Sequence, residues 1–391
     1  MARKKLPHEA QDLPHEARSS VAHALDELFE VMNDSARRNV KPMPLFVLDG
    51  IRYESLWELE RRGTGEVLLL AQRGLEQGPS GYVAVRTLRP PHSSLLLRRM
   101  TDEVRLAFRL RHPAIAQVHH FTLQQGIPHV IMEHVEGPTL DRVLNLVAMR
   151  NRPVTPAFAL QVAAEVADAL HHAHTLEDSE GKPLGIVHRD VSPRNICLDE
   201  GGAVKLTHFG AAFSLLVGRE ETPELLLKGD VAYASPEYLR LERLGPASDV
   251  FSLGLILVEL LTGRHLYNTE EAADARAAFQ RPSAPVPCPE EPPSLPFVLL
   301  RQLSAQHRPE HVGHVLADQP AAVQAIVSRA LHPAPAARYA SAAELRDALR
   351  GALAQGPHPY GRKELSEELA RLRADARGLH TLVEHAQGAP A

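Results

Sequence analysis

Cysteine is nearly absent from this chain. Only Cys197 and Cys288 occur in 391 residues, too few for a disulfide framework and without the paired spacing of a zinc site. A reducing compartment is the expectation. Aromatic residues are scarce as well, at 5%, with a single tryptophan. Long hydrophobic runs are missing. The most apolar stretch, Phe251 to Leu261, is too short to span a bilayer and contains Glu259. The N-terminal Met1-Ala2-Arg3-Lys4-Lys5 is basic, but Pro7, His8 and Glu9 stand where a signal peptide needs an apolar segment. An excess of positive charge is lacking too, and a net charge of -5 gives no basic surface for nucleic acid. Together these absences predict a cytoplasmic protein with no membrane segment and no nucleic-acid partner.

What is present is ordinary for a folded chain. Hydrophobic residues make up 44% and charged residues 23%, enough length and apolar content for one large domain or two small ones. The 22 histidines and 31 prolines are numerous, yet neither count identifies a function.

Residues 1–48 read as an appendage. A short motif, Leu6-Pro7-His8-Glu9-Ala10, recurs at Leu13 to Ala17, and Val21, Leu25, Leu28, Phe29 and Met32 mark one face of a helix. That helix either packs on the main domain or docks a partner. Residues 49–353 form the main domain. Its first lobe, 49–135, carries strand patterns at Val67 to Ala71, Tyr82 to Leu88 and His129 to Met132, with one helix over 93–110. Its second lobe, 136–353, is helical, with long apolar segments at 156–174 and 249–262 and a further pair at 320–332 and 341–353. A proline-dense stretch at 281–296 favours extended polyproline II and reads as a surface loop. The tail, 354–391, holds a second amphipathic helix through Leu365, Leu369, Leu372, Ala376, Leu379 and Val383, expected to pack on the second lobe. The fold class is α+β and bilobal.

The chemistry concentrates in two phrases. His188-Arg189-Asp190-Val191-Ser192-Pro193-Arg194-Asn195 resembles the catalytic loop of a protein kinase. His208-Phe209-Gly210 resembles that family's metal-binding Asp-Phe-Gly, with histidine in the place of aspartate. The region from about 52 to 353 resembles a eukaryotic-like serine/threonine protein kinase, in phrasing closest to the myxobacterial branch. The resemblance implies Asp190 as catalytic base, Asn195 as a metal ligand and Arg189 as the grip for a phosphorylated activation segment. It implies that Glu103 pairs with the residue on the strand, Arg86, and that Ala84 and Val67 line the nucleotide. Met132 takes the gatekeeper position, and the backbone of Glu133 and Val135 faces adenine. Phe209, Gly210, Glu237, Asp249 and Arg338 match architectural positions, and Glu237 is expected to pair with Arg338. Ser214 and Thr222 fall in the activation segment as candidate phosphosites. Cys197 is expected under the adenine site as a small apolar filler.

The departures concern phosphate and metal. His208 is a poor ligand for magnesium, which wants hard oxygens. Arg86 stands where the family has lysine and is larger and forked. The phosphate-covering loop keeps Gly65, with Gly63 nearby, but has Glu60 and Arg62 at the other glycine positions. Asp230, near Asp190, is expected to repel it. No cofactor is assigned from the residues themselves. ATP and magnesium are implied by the resemblance and opposed by these changes. Three readings follow: a pseudokinase that scaffolds or allosterically regulates an active kinase or another signalling protein; a weakly active serine/threonine kinase; and a nucleotide sensor without turnover. His307, His311 and His314 have a spacing that could ligate metal, but Pro309 interrupts it and no further ligand completes the set.

Overall fold

The computed structural model describes residues 41–61, 65–75, 78–89, 94–150, 152–209, 212, 230–267 and 297–387. The first lobe is a single antiparallel sheet with one helix. Its strands are β1 (Met43–Leu48), β2 (Ile51–Arg61), β3 (Glu66–Leu75), β4 (Gly78–Leu88), β5 (Val118–Gln124) and β6 (Ile127–Glu133), in the order β1-β2-β3-β4-β6-β5. Helix α1 (Ser94–Ala107) lies between β4 and β5 in sequence.

Alternation along β4 explains how this sheet serves two faces. Val83 and Val85 point to one side, where they pack with Tyr53, Ala71 and Ile131. Leu88 points to the other and packs with Met100 and Val104 of α1 and Val130 of β6. Arg86 has the same parity as Leu88, so β4 aims its guanidinium at α1. The sheet is strongly curled. Phe46 of β1 stacks on Tyr53 at 4.9 Å and reaches the His129 ring of β6 at 4.7 Å.

This corrects the expected domain boundary. Residues 43–48 are not part of an appendage: β1 pairs with β2 and closes one face of the sheet. Alternation in Met43-Pro44-Leu45-Phe46 was hidden by the proline and by a bulge at Pro44/Phe46. The expected helix through Val21 and Met32 and the proline-dense stretch 281–296 lie outside the described residues.

The second lobe is built on two buried helices, α3 (Pro156–His174) and α5 (Pro246–Thr262), after a shorter α2 (Leu140–Arg150). Nearly every residue of α5 is buried, which follows from apolar residues on all its faces. Thr155 caps α3, accepting from the Phe158 amide at 3.2 Å, with Pro156 at the first turn. A two-stranded hairpin, β7 (Ile196–Leu198) and β8 (Val204–Leu206), lies under the cleft. The short α4 (Pro236–Leu239) precedes α5, and α6 (Phe297–Gln306), α7 (Pro309–Val315), α8 (Ala321–Ala330) and α9 (Ala342–Ala354) complete the lobe.

The final helix, α10 (Arg362–Gln387), is also part of this lobe and not a separate tail. Leu365, Leu369, Leu372 and Ala376 are buried in the main core. Glu368 accepts from the Thr155 amide at 2.9 Å, the Thr155 hydroxyl at 2.7 Å and the Tyr360 hydroxyl at 2.8 Å. The helix therefore fastens the start of α3. Its side chains at Leu379 and Val383 lie outside the described residues. No helix among the described residues is long and apolar enough to cross a membrane.

His307 donates from Nε2 to the Leu331 carbonyl at 3.1 Å, a packing role. Helix α6 ends before His307 and α7 opens at Pro309, so His307 does not share a helix with His311 and His314, and no group of three or more His, Cys, Asp or Glu among the described residues is placed to hold a metal.

Leu369→Ala is expected to destabilise the protein by about 2–5 kcal/mol, the cost of truncating a fully buried leucine. Urea denaturation of the full chain would read it. A midpoint unchanged from wild type would mean that α10 is an appendage after all.

Candidate functional site

The site lies between the lobes and is organised by one buried carboxylate. Asp249, in the first turn of α5, is 1% exposed. Its Oδ2 accepts from the His188 amide at 2.8 Å and from His174 Nε2 at 2.8 Å, and its Oδ1 accepts from the Arg189 amide at 2.9 Å. Burial alone would raise the pKa of this carboxyl. Donation from His174 and the nearby charges of His174 and His188 outweigh burial, and the net shift is downward. Arg189 has φ +66, a left-handed conformation that costs a non-glycine residue on the order of 1–3 kcal/mol. The bonds to Asp249 hold it there.

This anchored turn presents Asp190 and Asn195. Asn195 Nδ2 donates to the Asp190 carbonyl at 2.8 Å, and the Asp190 amide donates to His188 Nδ1 at 3.3 Å. The Asp190 carboxylate accepts at Oδ1 from the backbone amide of Asp230 at 2.9 Å. That contact runs through the backbone, while the expected repulsion between the two carboxylates is present as a lesser effect. The Asp230 side chain turns away to cap the Ala232 amide at 3.1 Å and approaches Arg194 at 3.6 Å. Burial raises the Asp230 pKa, opposed by Arg194 and by the Ala232 amide, and Asp190 contributes only a lesser part of the rise.

Thr207 follows directly from β8, and His208 comes next. Thr207 bonds to the Asn195 carbonyl through its amide at 2.8 Å and its hydroxyl at 3.2 Å. His208 has φ +57, and its Nδ1 lies 2.8 Å from Thr207 Oγ1. Phe209 is buried with its ring edge-on to His188 at 4.6 Å. The two residues that the resemblance assigns to the metal, Asn195 and His208, offer an amide oxygen and an imidazole. Magnesium demands oxygen donors in near-octahedral array, and this set is one carboxylate short. The residues present do not fit that ion.

On the opposite wall, Arg86 Nη1 bonds Glu103 at 2.7 Å and lies 4.0 Å from Glu66, in surroundings that leave Arg86 4% exposed. The expected strand-to-helix pair is thus made, with arginine in it. Glu60, Glu66, Val67, Leu68, Arg86 and His208 line one small cavity. Gly65 has φ +86 with open space where a side chain would sit. Gly63 and Arg62 lie outside the described residues, as do Gly210, Ser214 and Thr222.

The segment joining the lobes is held at both ends. The Glu133 amide donates to the Gln117 carbonyl at 2.8 Å, and its carboxylate bonds Lys205 Nζ at 2.8 Å. The Glu133 N–H is therefore already engaged. Ala84 pairs with Met132 across β4 and β6. Beyond Val135, the Glu200 amide donates to the Glu136 carbonyl at 3.0 Å and the Leu198 amide to the Pro138 carbonyl at 2.9 Å. Gly137, between them, passes so close to β7 that an added Cβ would sit 2.0 Å from the Leu198 carbonyl oxygen. Only glycine fits. Cys197, in β7, has its thiol pushed up to about 12 by burial, so it stays neutral and behaves as the apolar filler expected.

Sequence reasoning missed four residues of this site. His174 was read as part of a helix, Arg194 and Lys205 were given no role, and Glu66 was not seen beside Arg86. Each acts through a tertiary contact that no local spacing announces.

Behind the cleft, Glu237 and Arg338 form a bidentate pair at 2.7 and 2.8 Å, and Ser248 Oγ donates to Glu237 at 2.7 Å. Burial raises the Glu237 carboxyl, but the Arg338 bonds and charge outweigh it and hold the pKa below the usual value. Its stabilising contribution is full above the unfolded value of about 4.3 and is lost as pH falls through the lower folded value. Glu237→Gln leaves a buried guanidinium without its counter-charge and is expected to cost about 3–5 kcal/mol at neutral pH. Chemical denaturation of both proteins should show that difference narrowing below about pH 4. A difference constant with pH would deny the ionic character of the pair.

A sequence family described as "Protein kinase domain" matches residues 63–348. The chain is 32% identical over 274 residues to the serine/threonine-protein kinase PrkC of Bacillus subtilis, covering 68% of this chain and 40% of PrkC. It is 33% identical over 215 residues to the tyrosine-protein kinase MasK of Myxococcus xanthus, covering 54% of this chain and 32% of MasK. It is 32% identical over 313 residues to the serine/threonine-protein kinase PknB of Mycolicibacterium smegmatis, covering 76% of this chain and 44% of PknB. The matched stretch amounts to less than half the length of each of these relatives.

Proposed function

Because the chain belongs to the protein kinase family, in its eukaryotic-like bacterial branch, we propose that it signals through the kinase fold without efficient magnesium-dependent phosphoryl transfer. Its role would be that of a scaffold or allosteric regulator of an active kinase or another signalling protein. One observation carries this reading: His208 stands where the resemblance puts the metal carboxylate, two residues beyond β8 and bonded to Thr207. Phosphoryl transfer depends on positioning and on neutralising phosphate charge. Here Arg86, the cation on that wall, is bonded to Glu103 and flanked by Glu66.

A second reading is a serine/threonine protein kinase that transfers phosphate slowly or with another divalent metal. It is favoured by the intact geometry of Asp190 and Asn195. The names of the relatives support it more directly than they support the first reading, since each is called a kinase.

A transfer assay on the full chain separates them, using labelled ATP with magnesium and then manganese. On the first reading the native protein incorporates no label above an Asp190→Asn control. The His208→Asp, Arg86→Lys double variant is then expected to gain transfer by about two orders of magnitude, the scale of restoring one element of transition-state charge stabilisation. Native incorporation that the Asp190→Asn change abolishes would establish the second reading in its place.

A further inference from the structure

The two halves of the cleft have opposite characters. The half beside the inter-lobe segment is apolar and neutral. Val67, Ala84 and Met132 are buried there, and Cys197 lies below with a thiol that burial keeps protonated. The half that would hold phosphates is acidic. Glu60, Glu66 and Arg86 share one small cavity with His208, and Glu103 holds Arg86 from behind. Three carboxylates face one guanidinium. Even a charged His208 would leave these five described side chains net negative.

Two physical consequences follow. A phosphate reaching Arg86 must compete with Glu103, bonded at 2.7 Å in a site where both side chains are under a tenth exposed. Breaking such a pair strands a buried charge, so the exchange is costly. Each further phosphate adds negative charge to a region already in excess, and the donor set described above does not fit the magnesium ion that would offset it.

We infer that this cleft takes an uncharged purine nucleoside in preference to the corresponding nucleotides. The inference rests on reading the cleft as a kinase-type nucleotide site, and it names the ligand class that the altered phosphate half admits. The nucleoside is accommodated by the apolar half, against Val67, Ala84 and Met132. The acidic half acts as a filter against phosphate.

The experiment is calorimetric titration of the full chain with adenosine, AMP, ADP and ATP, in EDTA and again in magnesium. Affinity is expected to fall with each added phosphate, with adenosine at least about tenfold tighter than ATP, a difference of roughly 1.4 kcal/mol. Raising the salt concentration should narrow the gap, because screening weakens the repulsion. The Glu60→Gln and Glu66→Gln variants, made singly so that one survives a folding failure of the other, should narrow it as well. ATP binding as tightly as adenosine in either buffer would overturn the inference, and so would the absence of adenosine binding. Neither result touches the proposed lack of transfer, which the labelled-ATP assay decides alone.

Discussion

The buried carboxylate of Asp249 is the constraint on which the rest of the cleft depends. A lone ionised carboxylate cannot be held in an apolar core, so it must be supplied with donors. Three come from two separate segments: His174 at the end of α3, and the amides of His188 and Arg189. Satisfying Asp249 therefore fixes the end of one helix and the turn that follows it in space. That turn carries Arg189 in a left-handed conformation, which swings Asp190 toward the cleft. Asn195, Thr207 and finally His208 are then placed by a chain of short hydrogen bonds.

The other wall shows scaffold and chemistry coming apart. In this fold the β4 cation and the α1 carboxylate link sheet to helix, and Arg86 and Glu103 make that link. An arginine fork satisfies the structural requirement. Lysine's compact charge is what a fitted phosphate site would want in addition. The pair makes the link the lobe needs, with Glu66 and Glu60 beside it in the same small cavity.

Much of the architecture was legible because it rests on periodicity. The strands at β3, β4 and β6 and the helices α1, α3, α5, α8 and α9 were placed from alternation and from apolar spacing. What escaped were elements whose signal is interrupted. Pro44 and a bulge disguised β1, and β5 reads Val118-His119-His120-Phe121, with two exposed histidines within it. The residues carried by ordered motifs, Asp190, Asn195, Glu237, Asp249 and Arg338, were named on the resemblance, and the structure brings Glu237 to Arg338 and Asp249 to the amides of His188 and Arg189. The behaviour of Asp230 was not legible. Charge alone suggested a clash with Asp190, whereas the contact runs through the Asp230 amide, which sequence does not expose. The segments bearing Ser214, Thr222 and the prolines at 281–296 fall outside the described residues, so those expectations stand as they were.

The clamped segment between the lobes has a mechanical consequence. On one side Glu133 is tied to Gln117 and Lys205; on the other Glu136, Gly137 and Pro138 lie against the β7–β8 hairpin like a third strand. The span between these two clamps is His134 and Val135. Lys205 belongs to β8, so Glu133, Glu136 and Pro138 all engage one hairpin, and Ala114 and Ala116, ahead of β5, bond to Leu206 of the same hairpin. Its tip, Glu200, is gripped by Ser366 and Arg373 of α10. The final described helix thus braces the element against which both crossings between the lobes rest, far in sequence from either.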